Sequence, residues 1–431
     1  MVRFSELDDG SFDGAILIID VDGTITNDKS VIVDAGAEEK LRALAARNRV
    51  YLCSNGPDKE RVKAFAERTG TQYLESIHKK PSARLFKDIS DSAGKRLVVI
   101  GDKHLTDGRF AKNIGAEFIQ TRRIRHADDR FHIGMIYHMD DLYGHVARMA
   151  KPIMPYIRLM RPSQWIKNLL VFAPIFFADH VFELGFLREA FFAFVAFSSA
   201  ASAVYVMNDI VDAAQDREHP IKRLRPIALR TVTSSSAAVL LVVLLGLTAA
   251  VLAFVPQAAP ALLAYFVLNA LYSFSLKHVA VIDVLCIAIF YILRIEAGGA
   301  ATATRLSPWI ILCVLFGALF LALGKRRAEF SHASRRKVID SYSVLGLDHL
   351  LAASATLSVI SYGLYSLIGS VSAYTVYSTI FVACAIFRVL NYIYMAKDGE
   401  AEFPEKLLFK DPWVVTCVVL WGIYMLGILY L

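Results

Sequence analysis

The stretch AFFAFVAFSSAASAVYVMNDIVDAAQDREHPIKRLRP, residues 190 to 226, decides how the chain is read. Its first half is apolar over the length of a bilayer crossing. Its second half sets Asp209, Asp212 and Asp216 beside Lys222, Arg223 and Arg225. At helical spacings of three and four the carboxylates share one face, with Asn208 on the same rim. Such a cluster repels itself unless something positive sits among the carboxylates. Hard divalent ions take carboxylate, amide and phosphate oxygens. Mg2+ carrying a diphosphate fits, with the downstream basic residues holding the remaining phosphate oxygens.

Outward from this stretch, apolar segments recur to the last residue. Nine spans are expected, at roughly 168–181, 188–208, 236–255, 259–276, 279–297, 307–323, 349–368, 373–395 and 413–431. The first is short and holds Pro174, so a tilt, a kink or a partly interfacial path is open to it. Unpaired backbone is too costly in lipid, so the spans imply a helical bundle. Arg158, Arg161 and Lys167 precede the first span; Lys222, Arg223, Arg225 and Arg230 follow the second. Lys325, Arg326, Arg327, Arg335, Arg336 and Lys337 follow the sixth, and Lys397, Lys406 and Lys410 the eighth. The positive-inside tendency then puts the N-terminus in the cytoplasm and the C-terminus outside, in an inner (plasma) membrane. The opening MVRFSELDDGSFDG is acidic and carries no signal-type apolar core.

The charge of +7 over 431 residues suits a membrane protein with basic inner loops, and a nucleic-acid partner is not expected. The mean hydropathy of +0.45 belongs almost wholly to the part beyond residue 168. Cys53, Cys286, Cys313, Cys384 and Cys417 are scattered, without metal-ligand or disulfide spacing. Further polar groups support a common cavity on one face: Tyr272, Lys277 and Asp283, then Lys325, Arg326 and Glu329, and Arg388 within the eighth span. Arg294 reads either as a partner of Glu296 or another buried acid, or as part of that cavity. Lys325, Arg326, Arg161 and Lys167 read equally as membrane anchors, and Arg388 as a substrate contact or a buried ion pair.

This half resembles the UbiA superfamily of intramembrane prenyl-group transferases, whose first polar motif matches NDIVDAAQD at Asn208, Asp209, Asp212 and Asp216. RPSQWIKNLLVFAPIFF, YSFSLKHVAVIDV and LALGKRRAEF are similar to the decaprenyl-phosphate phosphoribosyltransferases within it. The resemblance covers about residues 158 to 431 and implies a nine-helix bundle. It implies transfer of 5-phosphoribose from phosphoribosyl pyrophosphate to a polyprenyl phosphate. Mg2+ at Asp209, Asp212, Asp216 and Asp283 would neutralise departing pyrophosphate. Lys222, Arg223 and Arg225 would hold the donor, and Arg161, Lys167 and Asn168 the lipid head. Where aromatic-substrate members carry a second Asp-x-x-x-Asp, this chain has Tyr272, Lys277 and Asp283, a surplus of positive charge suited to two phosphorylated substrates.

Residues 1 to about 130 read as a soluble α/β domain. GAILIIDVDGTITND is a buried strand ending in Asp20 and Asp22, RVYLCSNG ends at Ser54 and Asn55, and RLVVIGDKHLTDG ends at Asp102 with Asp107 beyond. Helical segments alternate with these strands, which argues for a parallel sheet with ligands at the strand ends. The order of groups resembles haloacid-dehalogenase-like phosphatases with little or no cap, most like the YqeG-type members that act on a lipid phosphate. The resemblance implies Asp20 as nucleophile and Asp22 as general acid, then base. Ser54, Asn55 and either Lys79 or Lys80 would bind the phosphoryl group. Asp20, Asp22, Asp102 and Asp107 would form a second Mg2+ site. Residues 131–157 are too irregular to assign beyond a linker or an interfacial helix. His126, His132, His138 and His145 there lack a metal spacing.

The fusion suggests consecutive reactions: polyprenyl-phosphoryl-5-phosphoribose is formed, then loses its 5-phosphate to give polyprenyl-phosphoryl ribose for cell-envelope arabinan. The alternative is an aromatic prenyltransferase using a prenyl diphosphate, with a regulatory or unrelated phosphatase domain. A homo-oligomer is compatible with either.

Overall fold

A computed structural model describes all residues except 1, 27–34, 57, 90–93, 125–130, 220–221, 331–336, 371, 396–410 and 431. His126, Arg335, Arg336, Lys397, Lys406 and Lys410 therefore lie outside the described residues. The chain divides into two units, Met1–Ile153 and Met154–Leu431.

The first unit is built on five parallel strands: β1 (Ile16–Asp20), β2 (Arg49–Cys53), β3 (Gln72–Tyr73), β4 (Leu97–Gly101) and β5 (Glu117–Gln120), in the order β3-β2-β1-β4-β5. The central strand β1 is buried along its whole length, as a continuous Ile/Leu run covered on both faces must be. Helices α1 (Ala35–Arg47), α2 (Lys59–Thr69) and α3 (Arg109–Ile114) connect the strands. The chain winds outward from β1 to β3, then returns to the other side of β1 as β4. The strand order therefore reverses between β1 and β4, where parallel sheets open a crevice at their carboxyl ends. Pairing of Ile19 with Ile100 sets Asp20 and Asp102 at that opening. The segment 131–157 falls within one helix, α4 (Phe131–Met160), which runs past the end of the first unit.

The second unit is helical. Among the described residues, eight helices are long and apolar enough to cross a membrane: Leu184–Val211, Ser234–Leu252, Pro256–Phe274, Ile282–Ala301, Pro308–Glu329, Val344–Gly369, Ala373–Met395 and Pro412–Tyr430. They match the second to ninth expected spans. The first expected span is not such a helix. An 11-residue 3-10 helix, Pro162–Phe172, leads into the short α5 (Ala173–Phe177), with Pro174 in its first turn.

The long helix α6 (Leu184–Val211) is the hub, and its small buried residues Ala193, Ala196, Ala200 and Ser199 let neighbours approach closely. Ser199 Oγ shares a hydrogen bond of 2.8 Å with Thr248 Oγ1 of α8 (Ser234–Leu252). The 3-10 segment is fastened by polar contacts. Trp165 Nε1 donates to Ser202 Oγ (3.0 Å), Asn168 Nδ2 donates to Ser198 Oγ (3.0 Å), and Arg294 Nε donates to Asn168 Oδ1 (2.8 Å).

Arg294 belongs to α10 (Ile282–Ala301) and lies among the rings of Phe197, Tyr265 and Tyr291. Glu296 is exposed, so the expected pairing of Arg294 with Glu296 is replaced by an amide and an aromatic cage. Gly298 completes the clasp: a Cβ there would stand 1.9 Å from the Val171 carbonyl oxygen. Gly298→Ala must push two backbones apart, at about 1–3 kcal/mol by the usual cost of overpacking. It should lower the unfolding temperature of the detergent-solubilised protein by several degrees. An unchanged melting curve would refute this packing.

Candidate functional site

In the first unit, Asp20, Asp102 and Asp107 are each at most 5% exposed and converge at the carboxyl ends of β1 and β4. Each offers one oxygen within 4.8 Å of the others. Two glycines make the convergence possible. A Cβ at Gly101 would lie 2.4 Å from the Asp107 carboxyl carbon; one at Gly23, where φ is 91°, would lie 2.8 Å from Asp102 Oδ2.

Lys80 enters the same cluster, pairing with Asp20 and, at 2.6 Å, with Asp107 Oδ1. It is buried whereas Lys79 is exposed, so the structure brings only Lys80 to the acids. Burial alone would lower the Lys80 pKa, but Asp107 and Asp20 hold it well above the usual lysine value. Burial likewise raises Asp20 well above the carboxylate range, against the opposing pull of Lys80. Asp102 is raised chiefly by burial. Asp102 Oδ1 is buried with no hydrogen-bond partner among the described residues, and Lys103 Nζ lies 3.6 Å from it. Three carboxylates whose oxygens converge within 4.8 Å, one of those oxygens orphaned, fit a hard divalent cation even with Lys80, Lys103 and Arg123 beside them.

Asp22 stands apart from this group. Its carboxylate meets Ser54 Oγ and Arg61, so the expectation that it joins Asp20 as a metal ligand through its side chain is not met. Asn55 is also committed: its Nδ2 donates to the Lys80 carbonyl and its Oδ1 accepts from the Lys80 amide, both at 2.9 Å. It therefore holds the lysine loop rather than presenting a free amide.

Three residues that the sequence reading passed over complete the site. Arg123 Nε donates to Asp102 Oδ2 (2.7 Å) and its Nη2 to Asp140 Oδ2 (2.9 Å). Asp140, on α4, also accepts from the backbone amides of His104 (3.0 Å) and Leu105 (2.7 Å). Arg61 reaches Asp22 from the first turn of α2. No local pattern marks these residues, since each acts on a group far along the chain.

In the second unit, α6 ends at Val211, Asp212 caps it, and α7 (Ala213–Glu218) follows. Asp209 and Asp216 are buried while Asp212 is half-buried, so the expected three-carboxylate face is a buried pair with a third at the break. The pair is bridged by Arg225, whose Nη1 lies 3.0 Å from Asp209 Oδ1 and 2.7 Å from Asp216 Oδ2. Arg161 Nη2 reaches Asp209 Oδ1 at 2.6 Å, with its guanidinium 4.7 Å from the centre of the Tyr205 ring. Arg161 takes a left-handed backbone, φ 51°, uncommon for a non-glycine residue. An anchoring role would need neither contact. Asn208 accepts from Ser273 Oγ at 3.5 Å, on α9 (Ala259–Phe274). Lys222 and Arg223 are exposed, while Lys167, Tyr272, Lys277 and Lys325 are part-buried. Asn168 is buried in the clasp on Ser198 and Arg294, with its amide nitrogen and oxygen each engaged.

Asp283 is fully buried, and both of its oxygens are taken. Arg326 Nε donates to Oδ2 and the Tyr342 hydroxyl to Oδ1, each at 2.6 Å. Here Asp283 holds Arg326 and Tyr342, so a metal bound to it would displace one of them. Arg326, on α11 (Pro308–Glu329), also meets Glu329 Oε1 at 3.0 Å. Its Nη2 is buried with no hydrogen-bond partner among the described residues, and Tyr272 lies close enough to act on it electrostatically. Arg388, on α12 (Thr379–Met395), is exposed and pairs with Asp411 at 3.2 Å. The buried position expected for it is not found.

Comparison with known families matches residues 169–410 to the UbiA prenyltransferase family. Decaprenyl-phosphate phosphoribosyltransferase of Mycobacterium tuberculosis is 37% identical over 286 residues, which is 63% of this chain and 93% of that protein. The enzyme of the same name from Corynebacterium glutamicum is 34% identical over 279 residues, 62% of this chain and 83% of that one. Among solved structures, a UbiA homolog from Archaeoglobus fulgidus bound to GPP and Mg2+ superposes with a TM-score of 0.51. It has 18% identity and covers 64% of this chain and 100% of its own, a likeness of fold alone.

Proposed function

The chain belongs to the UbiA prenyltransferase family, and on that footing we propose that it transfers 5-phosphoribose from phosphoribosyl pyrophosphate to a polyprenyl phosphate. The relatives named for that reaction support this reading. The single observation that carries it is the buried pair Asp209 and Asp216 bound to Arg161 and Arg225. Two acids matched by two guanidinium groups balance charge while the site is empty of donor. A divalent ion held there with the donor supplies positive charge to the departing pyrophosphate. Arg161 and Arg225 then turn to phosphate oxygens as the carboxylates release them, so no buried charge is left unpaired. The lipid phosphate oxygen forms a bond to the anomeric carbon as that carbon's bond to pyrophosphate breaks. Arg326 Nη2 offers a further donor to an anionic oxygen.

We propose for the first unit the removal of the 5-phosphate. Asp20 attacks phosphorus, the ribose 5-oxygen leaves with a proton from Asp22, and water cleaves the aspartyl phosphate with Asp22 as base. Lys80 holds the phosphoryl oxygens, and Asp102 with Asp107 and Asp20 holds Mg2+.

The topology we infer keeps nine crossings. A 3-10 helix rises about 2.0 Å per residue, so Pro162–Phe172 and α5 together reach about 30 Å, the thickness of the hydrocarbon core. Both sites are then cytoplasmic and the C-terminus is outside.

Membranes holding the protein, supplied with ribose-labelled phosphoribosyl pyrophosphate, polyprenyl phosphate and Mg2+, should carry label into lipid and release pyrophosphate in equal amount. Label appearing only when an aromatic acceptor and a prenyl diphosphate are coupled, or none at all, would reject the reading.

A further inference from the structure

Helix α4 has two opposed faces. One is spent on the acidic cleft: Tyr137 and Asp140 are buried, and Gly144 admits the His104 ring, which a Cβ would meet at 2.1 Å. On the other, Met135, Met139, Leu142, Val146, Met149 and Ile153 are all more than half exposed, with Leu142 at 65%. At roughly 100° per residue these six, widened by Ile136, Tyr143 and Ile157, cover an arc of about 140° that excludes Asp140 and Gly144, which lie about 110° and about 150° from its centre. The stripe runs about 33 Å along the helix.

We propose that this face lies in the boundary between lipid headgroups and acyl chains. Its six leading residues repeat at four and three, the spacing of a two-stranded coil, so a second copy of the chain is the rival occupant. Two features decide for lipid. The arc is wider than a coiled-coil seam, and Pro152 and Pro155, within the continuous helix, each lack a backbone N–H and place a ring against the preceding turn, which disfavours the close helix pairing such a seam needs. The helix is also continuous with the membrane-bound chain: α4 ends at Met160, and Arg161 leads directly into Pro162–Phe172. An amphipathic helix at the point where a chain enters the bilayer is placed to lie on it.

The consequence concerns substrate, and rests on the phosphatase reading above. Asp140 holds the amides of His104 and Leu105, and Arg123 on Asp102. The cleft is thus fastened to the reverse side of a lipid-bound helix, and the phosphate it takes is one carried on a lipid.

The full chain in vesicles of phosphatidylcholine and phosphatidylglycerol tests both parts. With Leu142→p-benzoylphenylalanine, irradiation should yield phospholipid adducts, whereas His145→p-benzoylphenylalanine, outside the arc, should not. Adducts at 142 to a second copy or to another part of the same chain, or no adduct, would overturn the docking. The triple variant Met139→Glu/Leu142→Glu/Met149→Glu should release phosphate at least about tenfold more slowly from lipid labelled in situ. Its hydrolysis of p-nitrophenyl phosphate should stay unchanged. Equal loss on both substrates, or on neither, would overturn the substrate assignment. If the wild-type chain hydrolyses neither, the phosphatase reading fails while the photo-adduct still reports on the helix.

Discussion

Asp209→Asn should cut the transfer of labelled ribose into lipid by about a thousandfold, while hydrolysis of added p-nitrophenyl phosphate by the first unit in the same preparation continues. Asp209 Oδ1 receives two guanidinium groups, from Arg161 and Arg225, in a site where its side chain is 3% exposed. The amide keeps the shape and removes the charge. Two arginines then face Asp216 alone. Removing one electrostatic stabiliser of developing charge costs about 2.7–4 kcal/mol of barrier, and each 1.36 kcal/mol is a factor of about ten in rate. The loss therefore comes both from weaker hold on the metal and from arginines left misdirected. Asp212→Asn, at a half-buried position, should cost less. Equal loss in the two variants would mean that the buried pair has no special part in the reaction. Normal labelling in Asp209→Asn would reject the transferase site outright.

How far such a site shows in sequence depends on the range of its contacts. The strand β1, its terminal Asp20 and the eight long spans follow from local pattern: apolar runs of fixed length, broken by polar ends. Asp209 and Asp216 are legible for the same reason, because helical spacing puts them near one another. The conformation of the first expected span is not legible, because hydropathy measures apolar length and is blind to rise per residue, which differs between 3-10 and α helices.

The partners of Asp283 are not legible in sequence because one of them, Tyr342, stands 59 positions away. Arg123 and Asp140 are missed on the same ground. Their contacts with Asp102 and with the His104 amide join elements that only the fold brings together. Arg388 fails in the opposite direction: a charge inside an apolar run suggests depth, yet Asp411 at the start of the next helix meets it at the surface. Lys79 and Lys80 are indistinguishable as letters; adjacent residues point to different sides, and only one side is the cleft.

That last contrast yields the second large effect. Asp20→Asn should leave ribose transfer intact and cause the 5-phosphorylated lipid to accumulate, with phosphate release down at least about a thousandfold, as expected when a nucleophile is removed. Lys80→Met should give nearly the same loss by a different route. Lys80 is the cation between Asp20 and Asp107, and without it two buried carboxylates face each other across the place where a phosphoryl group must enter. Mutual repulsion then favours a proton on one of them, and a protonated Asp20 is a poor nucleophile. Raising pH should therefore recover part of the activity in Lys80→Met and none in Asp20→Asn. Lys79→Met, at an exposed position, should behave as wild type. If Lys79→Met abolishes phosphate release and Lys80→Met does not, the buried ion pairs are structural and the nucleophile must be sought elsewhere. If Asp20→Asn still releases phosphate at the wild-type rate, the first unit does not use an aspartyl-phosphate at this position, whatever becomes of the transferase.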